Sequence, residues 1–428
     1  MAFHDVTGEM VLFGGLQPTF GAYADTFTWD GEQWAQLAPA SAPPARGGAQ
    51  MVYDSQRAVC VLYGGTSPSA IGGPSFSDTW EWDGSTWTQR TTATAPLRSG
   101  RYGMAYDSVR GRTVVYGGVQ STMLLGASNQ TWECDGTNWL LRNPGANPGP
   151  LDGPAMCYAD TLVKTILFGG FTPVSGTLTN TTWAFDGTNW TTVPIVGGSP
   201  SPRYNARMVF DAARAVCVLH GGVTAAGLVL DDTWTFNGVT WTQELGTSPG
   251  PRHSFAFAFD RLRASSVLYG GRNALAGGAT TTLQDTWTNG AIYAPFGSGC
   301  PGSFGEPVLR SVSGPRLGTT FTASLFQLVP SFPIALIATG FSNTNWLGQP
   351  LPLDMTSSGI PGCSLFLSPD RLDVIGASSG VGTLLLAIPN DPYFLGVTFY
   401  QQGFSFELPG FNAFGGVLSN AARAVIGN

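Results

Sequence analysis

"VLFGG" occupies residues 11–15, and "VLYGG" returns at 61–65. The phrase comes back as "VVYGG" at 114–118, "ILFGG" at 166–170, "VLHGG" at 218–222 and "VLYGG" at 267–271. The second glycines stand 50, 53, 52, 52 and 49 residues apart. A repeat of about 50 residues marks an array of similar structural units and decides the fold before any single motif does.

One copy, residues 46–94, holds four strand signals. "AQMVYD" reads as strand a, "AVCVLYGG" as b, "DTWEWDG" as c and "STWTQR" as d. β-Branched and aromatic residues fill these runs, and Gly, Asp and Pro bound them. A tight c–d turn is written as Asp30-Gly31, Asp83-Gly84, Asp135-Gly136 and Asp186-Gly187, with Asn237-Gly238 as a variant. Four strands per repeat of about 50 residues describe a β-propeller blade, and six phrases predict six blades. Each glycine pair is expected where strand b ends in a crowded place that leaves no room for a Cβ.

Aromatic residues keep the same register. Strand c carries Phe27, Trp80, Trp132, Trp183, Trp234 and Trp287. Strand d carries Trp34, Trp87, Trp139, Trp190 and Trp241, with Tyr293 expected as the sixth. These rings are read as wedges between neighbouring sheets rather than as sugar platforms. The pattern resembles the Kelch-repeat family: a Gly-Gly doublet after an apolar strand, an aromatic strand c, then a Trp six to seven residues on. The likeness covers residues 1–295. It departs from the family in blade 4, where "PLDGPAM" lacks the Pro-Arg lead, and in blade 6, where "DTWTNGAIY" is shortened. The resemblance implies an interaction module more often than an enzyme. Some Kelch-like enzymes are copper oxidases with two His, two Tyr and a crosslinked Cys, and no such set lines up here.

The a–b turns pair an acid with a base, as Asp54 with Arg57 and Asp211 with Arg214, and are read as solvated local ion pairs. The b–c loops are longer, differ between blades and hold almost no charge. They are the expected binding face. Their apolar residues form the candidate interface: Phe20 and Tyr23, the cluster Met123, Leu124 and Leu125, and the cluster Leu228, Val229 and Leu230.

Only 11% of the residues are charged, the net charge is −7, and Lys164 is the one lysine. Without a basic stripe, nucleic acid is not expected as a partner. No run of 18 apolar residues marks a membrane span. The three histidines, His4, His220 and His253, lack the further ligands a metal needs, so neither metal nor cofactor is expected. No nucleophile elbow, P-loop or EF-hand loop is present. "NQT", "NTT" and "NWT" at 129, 180 and 189 match glycan sequons at a frequency that chance supplies in a Thr-rich chain.

After "AIYAPFGSGCPGS" the repeat stops. Residues 296–428 read as short strands broken by Pro and Gly, a C-terminal β-sandwich. "IPNDPYFLGVTFYQQ" and its neighbours resemble a C-terminal module of secreted proteins of environmental bacteria. Cys300 and Cys363 are the two cysteines of this part, and a bridge between them suits an oxidising compartment. The other four cysteines read as buried thiols. "MAFHD" at the start aligns with strand interiors such as "MVYDS", so a longer parent with a targeting segment upstream is expected.

The sequence thus predicts an all-β chain: a six-bladed Kelch-like propeller over 1–295, then a β-sandwich over 296–428. The functional expectation is a secreted or cell-surface, non-enzymatic protein that works by protein contact, self-assembly included. A carbohydrate-binding protein or carbohydrate-active enzyme is the alternative.

Overall fold

Strand b runs into its glycine pair and then has to turn beneath the chain that enters the next blade. In the computed structural model, Gly169 and Gly170 have φ of 69° and 112°. A Cβ on Gly169 would lie 2.6 Å from the Arg203 carbonyl oxygen. The Gly170 amide donates to that same oxygen over 2.8 Å. The pair therefore supplies a left-handed turn, a close backbone approach and a blade-to-blade hydrogen bond in two residues. Gly15, Gly118 and Gly222 make the same bond to Arg46, Leu151 and Arg252 over 2.9, 2.8 and 3.0 Å.

The structure describes residues 1–428 apart from 18–20, 68–74, 97–98, 121–125, 245–247, 275–281, 290–291, 312–313, 395–396, 414 and 428. The chain divides into two units: residues 1–261 with 266–288, and residues 262–265 with 289–428. The first is a six-bladed β-propeller. Blade 2 is typical: strand a, Gln50–Asp54, pairs with b, Val59–Tyr63, then with c, Thr79–Trp82, and d, Trp87–Arg90, all antiparallel. Blades 1 to 5 each have four strands in this order. Every strand a touches strand a of the next blade, and that of blade 6 touches that of blade 1, which closes the ring.

The wedges between blades are the strand-d tryptophans. Trp87, Trp139, Trp190 and Trp241 are buried. Each donates its indole N–H to a threonine hydroxyl at the start of strand c one blade back. Trp87 reaches Thr26, Trp139 reaches Thr79, Trp190 reaches Thr131 and Trp241 reaches Thr182, each over 2.9 Å. Trp34 reaches Thr286 of blade 6 over 2.7 Å, across the closure of the ring. The aromatic residue before each glycine pair packs on the same indole: Tyr63 on Trp139 at 4.7 Å, Tyr116 on Trp190 at 5.0 Å, Phe168 on Trp241 at 5.0 Å. The strand-c rings are less enclosed. Trp132, Trp183 and Trp234 are half-buried.

A second recurring device is an arginine clasp. Arg46, Arg203 and Arg252 are fully buried and donate to the first glycine carbonyl of their own blade. Each also forks onto the aspartate two residues before the strand-c tryptophan: Asp78, Asp232 and Asp285. A buried guanidinium is tolerable only when its donors are met in this way.

The a–b turns differ from expectation. Asp54, Asp107 and Asp211 are buried rather than solvated. Arg57 joins Asp54 over 2.7 Å and also Glu81 of strand c, which accepts from Arg90 over 2.5 Å. Arg110, Asp107, Glu133 and Arg142 repeat the network in blade 3. The local ion pair is half of a larger lattice because strand c places its glutamate beside the turn.

Blade 6 corrects the sequence reading at Tyr293. Its sheet has three strands, Ala256–Asp260, Ser265–Arg272 and Thr282–Asn289. The next strand, Ile292–Phe296, contains Tyr293 and pairs with Gly416–Val425 of the second unit. The reason is parity. In the other blades the strand-c aromatic precedes the turn glycine by four residues, but Trp287 precedes Gly290 by three. Side chains alternate along a strand, so a return through the same turn would place Tyr293 on the wrong face.

The second unit is built on one antiparallel sheet of eight strands, with two small two-stranded ladders, Asn345–Trp346 with Gln349–Pro350 and Leu353–Asp354 with Ser364–Leu365, beside it. Its order is Ile292–Phe296, Gly416–Val425, Thr398–Phe406, Ile334–Gly340, Arg371–Ser378, Val381–Ala387, Thr320–Phe326, Val308–Arg310. The sheet curls until the last strand meets Gly416–Val425. There the Asn420 side chain replaces a ladder pair. It accepts from Leu309 N–H over 2.7 Å and donates to Leu309 O over 3.2 Å. The two layers expected of a sandwich are opposite walls of this curled sheet, closed over Phe321, Leu325, Ile337, Ile375 and Phe399. Cys300 and Cys363 stand at disulfide distance, Cα atoms 5.0 Å apart, in a smaller core with Ile360 and Leu365.

Candidate functional site

Two places on the propeller offer themselves for binding: the b–c side, where the loops cluster, and the central channel. On the b–c side Leu228 is 62% exposed and Val174 of the blade 4 loop is 86% exposed. Tyr23 and Leu16, which flank the b–c loop of blade 1, are exposed as well. Leu16 and Val174 were not singled out from the sequence. Their signal was there, a large apolar residue in a loop that carries no charge.

The cluster Leu228, Val229 and Leu230 splits. Val229 is buried and its backbone bridges Val223. Leu230 is half-buried, its N–H bonded to Gly222 O over 2.9 Å and its carbonyl accepting from Arg252 N–H over 3.1 Å. Leu228 faces outward and Val229 inward, as alternation across the bridge to Val223 requires, while Leu230 is partly covered where its backbone is bonded to Gly222 and Arg252. Phe20, Met123, Leu124 and Leu125 lie outside the described residues.

The channel runs between the six strands a and encloses about 1420 Å³. Tyr23 and Leu16 line it on the b–c side, so these two exposed residues are continuous with the channel; Val174 and Leu228 are not among its lining residues. Methionines and phenols of strands a, such as Met104, Met156, Tyr106 and Tyr158, form much of its wall. Tyr106 is tied down by donating to Asp54 over 2.5 Å.

Arg207 also lines the channel. Its Nε donates to Phe255 O over 3.2 Å, and among the described residues no carboxylate pairs with it. Burial draws its pKa down to about 10, with Tyr102 opposing the shift. Arg101 pairs with Asp152 over 3.2 Å. Burial raises the Asp152 carboxyl, and Arg101 counteracts that rise.

The histidines are held by local partners. His4 accepts from Thr7 N–H at Nδ1 over 3.2 Å, at a strand-a position that holds aspartate in blades 2, 3, 5 and 6. His220 Nδ1 lies 2.9 Å from Thr233 Oγ1. His253 Nε2 lies 3.2 Å from Ala274 O, and its Nδ1 lies 3.0 Å from Ser254 Oγ. Burial lowers the pKa of all three, His220 to about 4. Among the described residues no three His, Cys, Asp or Glu side chains gather as a metal site. What the arrangement can do is bind: it has an apolar rim, a wide channel and, in Arg207, a cation facing that channel.

No helix among the described residues is long and apolar enough to cross a membrane. Compared with known proteins, the chain matches no family model and no curated sequence.

Proposed function

We propose that the chain is an extracellular, non-enzymatic interaction protein of the Kelch type, whose b–c face makes contact with protein, further copies of the chain included. The observation that carries this reading is the set of exposed apolar side chains, Leu16 and Tyr23 in blade 1, Val174 in blade 4 and Leu228 in blade 5, on loops that hold almost no charge. Such residues lower the free energy of a contact when they are covered, and the absence of charge removes the cost of desolvating it. The cysteine pair of the second unit supports an oxidising compartment.

A polar small molecule, a sugar included, held in the channel is the second reading. It is favoured by the enclosed volume and by Arg207. Sedimentation of the purified chain alone and with candidate partners, beside a glycan array, separates the two. A folded Val174→Asp, Leu228→Asp protein that keeps every contact of the parent would remove the loop face from consideration. Glycan binding by a strictly monomeric chain would favour the channel.

A further inference from the structure

Each strand a begins at the b–c end of the channel, opposite the residue that precedes the glycine pair. At this first position three blades carry only Gly103, Ala155 and Ala256, while blade 5 carries Arg207 and blade 2 carries Gln50. All five line the channel. Arg207 Nε is taken by Phe255 O, but neither Nη group has a partner among the described residues. The side chain is only half-buried, so these donors open on the channel instead of being sealed in its wall. Gln50 Nε2 is buried without a partner as well. The layer thus holds unmet donors and a charge that has lost much of its water.

Two carboxylates line the channel among the described residues, and neither pairs with Arg207. Asp25 accepts from Gln36 over 2.8 Å. Asp5 belongs to the a–b end, where Arg261 lies 3.9 Å from it and 3.5 Å from Asp160. Two acids to one base offer no place there for an anion. Between the ends the wall is largely apolar. One residue along from Arg207 comes a ring of methionines, Met51, Met104, Met156 and Met208, and two further on the aromatic rings of Tyr53, Tyr106, Tyr158 and Phe210. Methionine side chains adapt to the shape of an apolar guest. The mouth above is built stiffly. Arg101, Asn205 and Ser254 hold φ of 56°, 55° and 54°, where blades 2 and 4 have Gly48 and Gly153. Such strain is kept where the surrounding structure fixes it, commonly at ligand sites.

We propose that the channel binds an organic carboxylate with a bulky apolar body, its carboxylate on the Nη groups of Arg207 and its body against the methionine and aromatic rings. A carboxylate matches the forked donors of a guanidinium and compensates a charge that burial disfavours. The volume of about 1420 Å³ suits a bulky body rather than a single alkyl chain. The proposal rests on the channel reading above and gives that site a ligand class.

The test uses the full chain with 1-pyrenebutyrate, followed by its fluorescence, beside 1-pyrenebutanol, which keeps the body and lacks the charge. From Arg207 to Phe210 the strand spans about 10 Å, close to the length of the pyrene rings. The acid should bind saturably and at least tenfold more tightly than the alcohol. Arg207→Gln, shown to be folded by circular dichroism, should remove that preference and leave the affinity for the alcohol as it was. Arg207→Lys, which keeps a charge but loses the fork, should retain only part of the preference, and it serves where the glutamine variant does not fold. Equal affinity for acid and alcohol overturns the proposal without relying on a variant, and leaves the channel to a neutral ligand. A preference that survives undiminished in the folded variants places the anion elsewhere and overturns it too. No saturable binding of either probe also overturns it, and the glycan array then decides the channel reading by itself.

Discussion

Trp139 of blade 3 donates its indole N–H to the hydroxyl of Thr79 in blade 2 over 2.9 Å, and both groups are buried. The contact joins two sheets that share no backbone hydrogen bond at that point. It makes the indole at once a filler of volume and a fixed peg. Trp139→Ala should therefore cost about 3–5 kcal/mol, the range of large aromatic deletions in cores. Trp132→Ala should cost less, because its ring is half-buried. Equilibrium unfolding in denaturant checks the order, and an equal loss at both sites would contradict the assignment of the wedge to strand d.

Gly169→Ala should destabilise more than Gly176→Ala, although both glycines have a positive φ, 69° and 66°. Left-handed strain alone costs about 1–2 kcal/mol. A Cβ at Gly176 would meet nothing within 4 Å, while one at Gly169 would press on the Arg203 carbonyl. The difference between the two melting curves measures the close approach separately from the strain.

Stability should fall as pH drops from 6.5 toward 4, partly through His220. Burial is the largest cause of its lowered pKa, and the Arg252 charge adds to it. The folded value of about 4 lies below the ordinary histidine value of 6.5. Between those values the unfolded chain binds the proton and the folded chain does not, so the contribution is intact above pH 6.5 and is lost on acidification. At pH 4.5 the loss should be roughly 2–3 kcal/mol. His220→Tyr, which installs the residue that Tyr63 and Tyr116 represent in blades 2 and 3, should lose that much less between pH 7 and 4.5 in paired denaturant titrations. Carboxylates common to both proteins cancel in the comparison.

Thiol labelling under denaturing, non-reducing conditions should find four cysteines: Cys60, Cys134, Cys157 and Cys217. All four are buried, so the native chain should label slowly or not at all. Joining Cys300 to Cys363 across 63 residues of sequence is worth about 4 kcal/mol in the chain-entropy picture. Replacing both by serine should lower the stability of the second unit by about that amount.

The propeller was legible because its signals repeat. A glycine pair, an Asp-Gly turn and a tryptophan each recur at one register, and six weak matches in phase become a strong one. The threonine partners were equally readable, since a Thr stands directly before the strand-c aromatic in every blade, from Thr26 to Thr286. They were missed because a polar residue in a strand attracts less notice than the ring beside it. Tyr293 misled for a different reason. Counting aromatics reports identity but not which face a side chain takes, and one residue fewer before Gly290 reverses the face. The loop cluster shows the same limit on a smaller scale: Leu228, Val229 and Leu230 are alike in composition and differ in exposure. The burial of Asp54 and Asp107 was hidden because the glutamates that complete their networks, Glu81 and Glu133, lie on a distant strand.

The three-residue step from Trp287 to Gly290 has a meaning at the level of the gene. The difference is one codon, in frame, and it falls where the chain leaves the sheet of blade 6 and begins the first strand of the second unit. The frontier between propeller and curled sheet is an odd number where its five predecessors have an even one. Restoring a single residue there would be a small step by which the same lineage could move that frontier back.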